Sequence, residues 1–254
     1  MSFWSLRHQL GYAILAFGFL VLLVAIPIAL TTLGTSPSCS DRTQNQGEGG
    51  VDCSGPCTIL CAVDAKAPLI LWARATRVTE TVYNATALVE NRNSGAGARD
   101  VPYSFKLYDN RNVLILEERG TITLPPQTRI PIFASGLVVG ARPPARTFFQ
   151  FTNEPIWEVM EYHAAPLTVQ NILLASEMTA PRVTAELVNT GVAMIRDITV
   201  VALLFSPEGS IVATSRTVVD RLGKGRVANL TFTWPEPFSA RVGKIDLFPS
   251  IPLE

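Results

Sequence analysis

Histidine is almost missing from this chain: two occur in 254 residues, His8 and His163. With His8 close to the N-terminus, a single histidine is left for everything else, which excludes a multi-histidine metal centre and makes histidine-based catalysis improbable. Excess charge of either sign is missing too, since 21 basic residues balance 21 acidic ones. Without clustered Lys and Arg there is no footprint for a nucleic-acid backbone, so no nucleic-acid partner is expected. Neither a G-x-S-x-G elbow nor a phosphate-cradling glycine loop is present. His163 falls in YHAAP, a connecting stretch, and no free base and nucleophile pair accompanies it. The carboxylates Glu117, Glu118, Glu158 and Glu161 lie near a strand end or a connection, where solvated roles are the default. The expectation is a non-enzyme with no catalytic residue and no obligatory cofactor.

Charge is also absent from a long N-terminal stretch. Between Arg7 and Asp41 no Asp, Glu, Lys or Arg occurs, and residues 10–33 read LGYAILAFGFLVLLVAIPIALTTL. As a helix these residues would span roughly 36 Å, against a hydrocarbon core of about 30 Å. Pro27 removes one backbone hydrogen bond, which membrane helices tolerate. A cleaved secretory signal is the competing reading, but its apolar centre would be about 7–15 residues, and Ser36-Pro37-Ser38 is a poor cleavage site. A lipoprotein signal is disfavoured because Ser36 stands three positions before Cys39, where a leucine-like residue is required. Arg7 and His8 precede the run, and the first charges after it, Asp41 and Arg42, are mixed. The positive-inside bias therefore predicts a single-pass protein, N-terminus cytoplasmic over 1–9, membrane partner over 10–33, and the rest extracytoplasmic.

All four cysteines crowd into one segment, Cys39, Cys53, Cys57 and Cys61, spaced C-x13-C-x3-C-x3-C. Four thiolates could hold zinc, but the paired C-x2-C knuckles of zinc ribbons are missing. An oxidising compartment favours two disulfides instead, and four cysteines permit three pairings. A segment this short has no apolar core, so cross-links would have to hold it as a spacer over 34–66. Interleaved are the hard oxygen side chains Asp41, Asn45, Glu48 and Asp52, a candidate calcium set whose alternative role is to cap turns. The segment resembles a cysteine motif of bacterial surface proteins, C-x-D-x3-N-x2-E-x3-D-C-x-G-x-C-x3-C, matched by those eight residues and Gly55. It departs at Arg42 and Ser54, where the family usually carries glycine. The resemblance implies an envelope or secreted location and no chemistry.

Beyond Asp64 short β-rich runs alternate with turn signals, at 69–76, 81–90, 101–108, 113–118, 129–134 and 146–152. That rhythm predicts a mainly β fold with a first sandwich over 67–153. A helical turn is conceivable near residues 157–162, within a linker over 154–166. A second sandwich is expected over 167–254, because the pattern repeats at an offset of about 98 residues. TALVEN ending at Asn91 falls on TAELVN ending at Asn189, Asp100 on Asp197, the turn at 109–113 on that at 206–211, and Leu124 on Leu222. The run Phe105-Lys106-Leu107-Tyr108-Asp109 resembles the FxLYD class of extracytoplasmic Ig-like domains, whereas the second copy reads Ala202-Leu203-Leu204-Phe205-Ser206. The layout of anchor, cysteine motif and two Ig-like/FxLYD-like modules also resembles single-pass envelope proteins of small-genome uncultured bacteria. This resemblance implies place and shape only.

Two aromatic groups are candidate binding residues: Trp157, near Phe148, Phe149 and Phe151, and Trp234 with Phe238. Packing between sheets competes with a sugar-stacking role for each of them. The sequons at Asn84 and Asn229 read as ordinary strand sequence in a chain of bacterial character. The function expected is contact with a protein partner in the envelope through sheet edges and the groove near 157–166; a glycan or cell-wall ligand on exposed aromatics is the alternative.

Overall fold

The computed structural model describes residues 3–33 and 38–252. Helix α1 is continuous over Phe3–Leu33, 31 residues with Pro27 inside it. Judged on fully described residues alone, no helix is long and apolar enough to cross a membrane. Side chains of α1 are described without a break only from Ile14 to Ala29, whereas its helical backbone continues on both sides. The chain divides into two compact units, one ending at Cys57 and the other Thr58–Glu254.

The second unit is all β. Six strands build its first half: β1 (Leu69–Arg77), β2 (Val82–Glu90), β3 (Ala96–Tyr108), β4 (Leu114–Leu124), β5 (Arg129–Val138) and β6 (Arg146–Phe151). A short β7 (Glu158–Val159) follows where a helical turn was conceivable; it pairs with Ala96 and Gly97 of β3. The second half holds β8 (Leu167–Ala175), β9 (Arg182–Asn189), β10 (Ile195–Phe205), β11 (Ile211–Leu222), β12 (Val227–Thr233) and β13 (Lys244–Ser250). The sheets run β1-β2-β5 and β4-β3-β6 in the first half, β8-β9-β12 and β11-β10-β13 in the second. Strand for strand, the two halves share one topology, and all neighbouring strands are antiparallel.

The repeat extends to single residues. Asn91 and Asn189 are both buried at the end of the second strand of their halves. The Asn91 amide donates to Ala96 O, Leu124 O and Pro125 O, and that of Asn189 to Ala193 O and Leu222 O. Asp100 and Asp197 both take positive φ (48° and 51°), as do Gln127 and Gly225 (49° and 64°). The backbone N–H groups of Asn91 and Asn189 donate to carbonyls at equivalent places, Thr128 and Arg226.

Alternation along each strand builds three apolar layers rather than two. In β2, Ala85, Ala87 and Val89 point into the first core with Phe105, Leu107 and Leu124. In β10, Val200, Ala202 and Leu204 point into the second core with Leu187, Phe232 and Trp234. The remaining faces of these two sheets meet: Leu88 of β2, with Trp72 and Phe133 beside it, packs on Val201, Leu203 and Phe205 of β10. Trp72 and Phe205 meet edge to face at 6.3 Å. Polar groups buried in that seam find partners. Thr214 Oγ1 lies 2.8 Å from Thr76 Oγ1, Thr86 Oγ1 donates to it at 3.2 Å, and the Asn84 amide donates to Thr214 O at 3.0 Å. Over residues 58–252 the four sheets thus belong to one compact unit. Asn84 of the first sequon is buried in the seam, and Asn229 of the second is exposed.

The β3–β4 turn is closed by Asp109, whose Oδ1 accepts the N–H groups of Val113 and Arg111 at 2.9 Å. The Val113 bond chiefly, with the Arg111 bond and the Arg142 guanidinium 3.7 Å away, holds this carboxyl below the usual 3.8. A depressed folded-state pKa means stabilisation that is complete above the unfolded value and lost as pH falls through the folded one. An NMR titration is expected to show Asp109 ionising below an unperturbed aspartate; a midpoint at or above 3.8 would contradict the assignment.

Candidate functional site

Two places combine polar chemistry with defined geometry: the cysteine segment and a cleft in the β body. In the segment Cys39 is bonded to Cys57 and Cys53 to Cys61, which selects one of the three pairings and leaves no free thiol. Gly55, at φ 62°, is the motif glycine that matters most, because a Cβ there would collide with the Gly47 carbonyl oxygen.

The three carboxylates Asp41, Glu48 and Asp52 are occupied by N–H donors. Asp52 accepts from the Asp41 and Arg42 backbone at 2.9 Å each. Asp41 accepts from the Thr43 N–H and the Asn45 amide. Glu48 is buried, with Oε2 accepting from Asp52 N at 3.2 Å and Asn45 N at 3.4 Å, and Oε1 is 3.3 Å from Cys57 Sγ. The Asn45 Oδ1 is buried and accepts nothing. Among the described residues, the group whose ligand atoms come close enough to share a metal ion is Cys39, Glu48 and Cys57, within 4.8 Å. Two of those three are the bonded sulfurs of a disulfide and cannot serve as thiolates. Among the described residues, the carboxylates of Asp41, Glu48 and Asp52 do not form such a group. Closing the Cys39–Cys57 loop restrains the unfolded chain by about 3 kcal/mol. Reducing the full-length chain is therefore expected to strip hydrogen-exchange protection from residues 38–57 while β1–β13 keep theirs. Protection surviving in 38–57 would show that hydrogen bonds alone hold the segment.

The candidate binding aromatics lie elsewhere than a ligand platform requires. Trp157 is 6% exposed and sits in the first core, its carbonyl accepting from Leu60 N at 2.7 Å. Trp234 is 4% exposed in the second core, with its indole N–H on Thr214 O and Phe238 edge-on at 5.1 Å. Packing between sheets is the role the structure gives both tryptophans. Of the aromatics considered, Phe148 is the exposed one (55%), 5.5 Å from Tyr108 on the outer face of β4-β3-β6. His163 is exposed, and Glu117 pairs with Arg119 at 3.0 Å. No nucleophile and base meet among the described residues discussed above.

A cleft of about 660 Å³ opens between the two halves of the β body. Its walls are β4 and β5 of the first half, β10, β11 and the end of β13 of the second, and the connection at Tyr162, Ala164 and Ala165. Tyr103 and Arg216 also line it, and the Arg216 guanidinium lies 5.7 Å over the Phe133 ring. Burial chiefly, then the negative field of Glu118, raises the Tyr103 phenol above 10.0, and Arg216 opposes this; burial raises Tyr162 likewise. A volume of this size suits a ligand or short peptide segment. The sequence marked the connection near 157–166 as a groove but gave no sign of β5, β11 and β13 as its walls. The usable signal was the repeat itself: Lys106 and Tyr108 on the outer face of β3 become Leu203 and Phe205 on β10, the mark of a covered sheet.

No protein-family model matches this chain. No curated protein matches it either. Among solved structures, a "putative beta-galactosidase" from Bacteroides fragilis aligns over 67% of this chain at 13% identity, with a TM-score of 0.21. The alignment covers 32% of that protein, so this chain spans about a third of its length, and a likeness this slight bears on neither fold nor activity.

Proposed function

We infer that this chain is a membrane-anchored, extracytoplasmic, non-enzymatic protein that displays a two-sandwich body for contact with another envelope protein. The observation that carries this reading is the complete pairing of the cysteines, which persists in oxidising compartments, together with the uncharged run of residues 10–33 in helix α1. At 1.5 Å per residue, α1 reaches roughly 46 Å, and its charge-free portion exceeds the thickness of a bilayer core. Arg7 and His8, near the N-terminal end of α1, assign that end to the cytoplasm. Both halves are assigned to the Ig-like class, the first to its FxLYD group, on strand order and on the run Phe105–Asp109. In that run Phe105 and Leu107 enter the core and Asp109 closes the turn. The oxygen side chains of the cysteine segment are assigned to turn capping, with no cofactor.

Cross-linking mass spectrometry on native membranes tests the reading. One recurrent envelope protein linked to residues 58–254 is expected; links to nothing would remove the display role. A glycan ligand is the second reading, favoured by exposed Phe148 beside Tyr108. Retention on cell-wall polysaccharide that Phe148→Ala abolishes would put it first.

A further inference from the structure

The cleft is bordered by strand edges rather than by strand faces. It touches five consecutive residues of β5, Arg129 through Phe133, and the last three of β13, Phe248 through Ser250, with Ile251 and Pro252 just beyond the strand. Successive residues of a strand point to opposite faces, so a cavity meets five in a row only along the backbone edge. Each strand is paired on one side only, β5 with β2 and β13 with β10. Among the described residues, no backbone hydrogen bond reaches the outer edge of either strand. Open edges are templates for another strand, and proteins usually blunt them with charge, bulges or cover. Here the edges border a concave, solvent-open space lined by both polar and apolar residues.

Two further features define what fits. Proline within a sheet sits where its missing N–H faces away from the ladder, so Pro131 marks residues 129, 131 and 133 as those whose backbone polar groups face the cleft. That leaves the N–H groups of Arg129 and Phe133 and three carbonyls to pair. Arg216, exposed and over Phe133, has no carboxylate partner among the described ion pairs, whereas Arg129 is held by Glu90 at 2.9 Å. We propose that the cleft binds an extended peptide segment of another protein by strand addition along β5, with an acidic side chain of that segment on Arg216. This rests on the display role inferred above and names the chemistry of the partner. About five residues of strand match the stretch of β5 that lines the cleft.

The test uses the full-length chain in detergent and a display library of random peptides about eight residues long. Selected peptides are expected to alternate apolar and polar residues around one fixed acidic position. Arg216→Glu, a surface change that leaves folding intact by circular dichroism, is expected to replace that acid by Lys or Arg. N-methylation at alternate amides of a selected peptide is expected to weaken binding at least about tenfold, while methylation in the other register does little. No enrichment on the folded wild type would overturn the proposal. So would indifference to N-methylation, dimerisation of the chain that excludes peptide, or binding of small amphipathic acids alone. If cross-linking on membranes finds a partner on other faces while no peptide is selected, strand addition falls and the display role stands. If no partner is found anywhere, the display role falls with it.

Discussion

Leu203→Asp is expected to uncouple the two sandwiches and to destabilise the β body by more than about 4 kcal/mol. Leu203 is fully buried, on the face of β10 that meets β2. Truncating such a side chain costs about 2–5 kcal/mol. An unpaired carboxylate in the same place adds a desolvation penalty of several kcal/mol. Because the side chain points away from the second core, the damage falls on the seam and each sandwich keeps its own layer of apolar contacts. The single cooperative denaturant transition expected of the wild type should split in two. The matched control is Lys106→Gln, at the corresponding, half-buried place on the outer face of β3; it should cost no more than about 1 kcal/mol. An unsplit transition at the wild-type midpoint for Leu203→Asp would mean that the seam is not an energetic interface.

Asn91→Ala and Asn189→Ala should each cost about 3 kcal/mol or more. Each amide ties the end of its strand to carbonyls of the neighbouring sheet, and each Oδ1 accepts a backbone N–H two residues on, that of Asn93 and that of Gly191, both at 2.9 Å. Alanine fills none of these roles and leaves buried carbonyls and one N–H without partners, at roughly 1–3 kcal/mol for each unsatisfied group. Equal losses at the two positions, measured by urea unfolding, would show that the halves share one device as well as one strand order. A loss under about 1 kcal/mol at either site would show that water replaces the amide there.

These two asparagines were also legible in the sequence, as the ends of TALVEN and TAELVN. Strand content was legible for the same reason: alternation with turn residues is a local signal, and β1, β2 and β6 fall within a residue or so of the runs read from it. The seam was not read, because apolar alternation shows that a face is covered without showing by what. The information lay in the differences between the copies. On the outer face of β2 stand Asn84, Thr86 and Leu88, where β9 carries Arg182, Thr184 and Glu186. On β10 stand Leu203 and Phe205, where β3 carries Lys106 and Tyr108. Each copy has lost charge on the one sheet that faces the other copy. Where the first half has Tyr108 the second has Phe205, packed edge-on against Trp72. Trp157 and Trp234 could not be placed from sequence, because tryptophan beside proline reads alike in a core and in a binding platform.

The proposed function depends most on where the β body stands relative to a membrane. Protease treatment of intact spheroplasts, followed by alkaline carbonate extraction and non-reducing electrophoresis of the full-length chain, tests this most directly. The chain is expected to resist extraction, to have both disulfides formed, and to lose residues 58–254 to protease before lysis. A chain that is released by carbonate, or protected until the cells are broken, would contradict the proposed function.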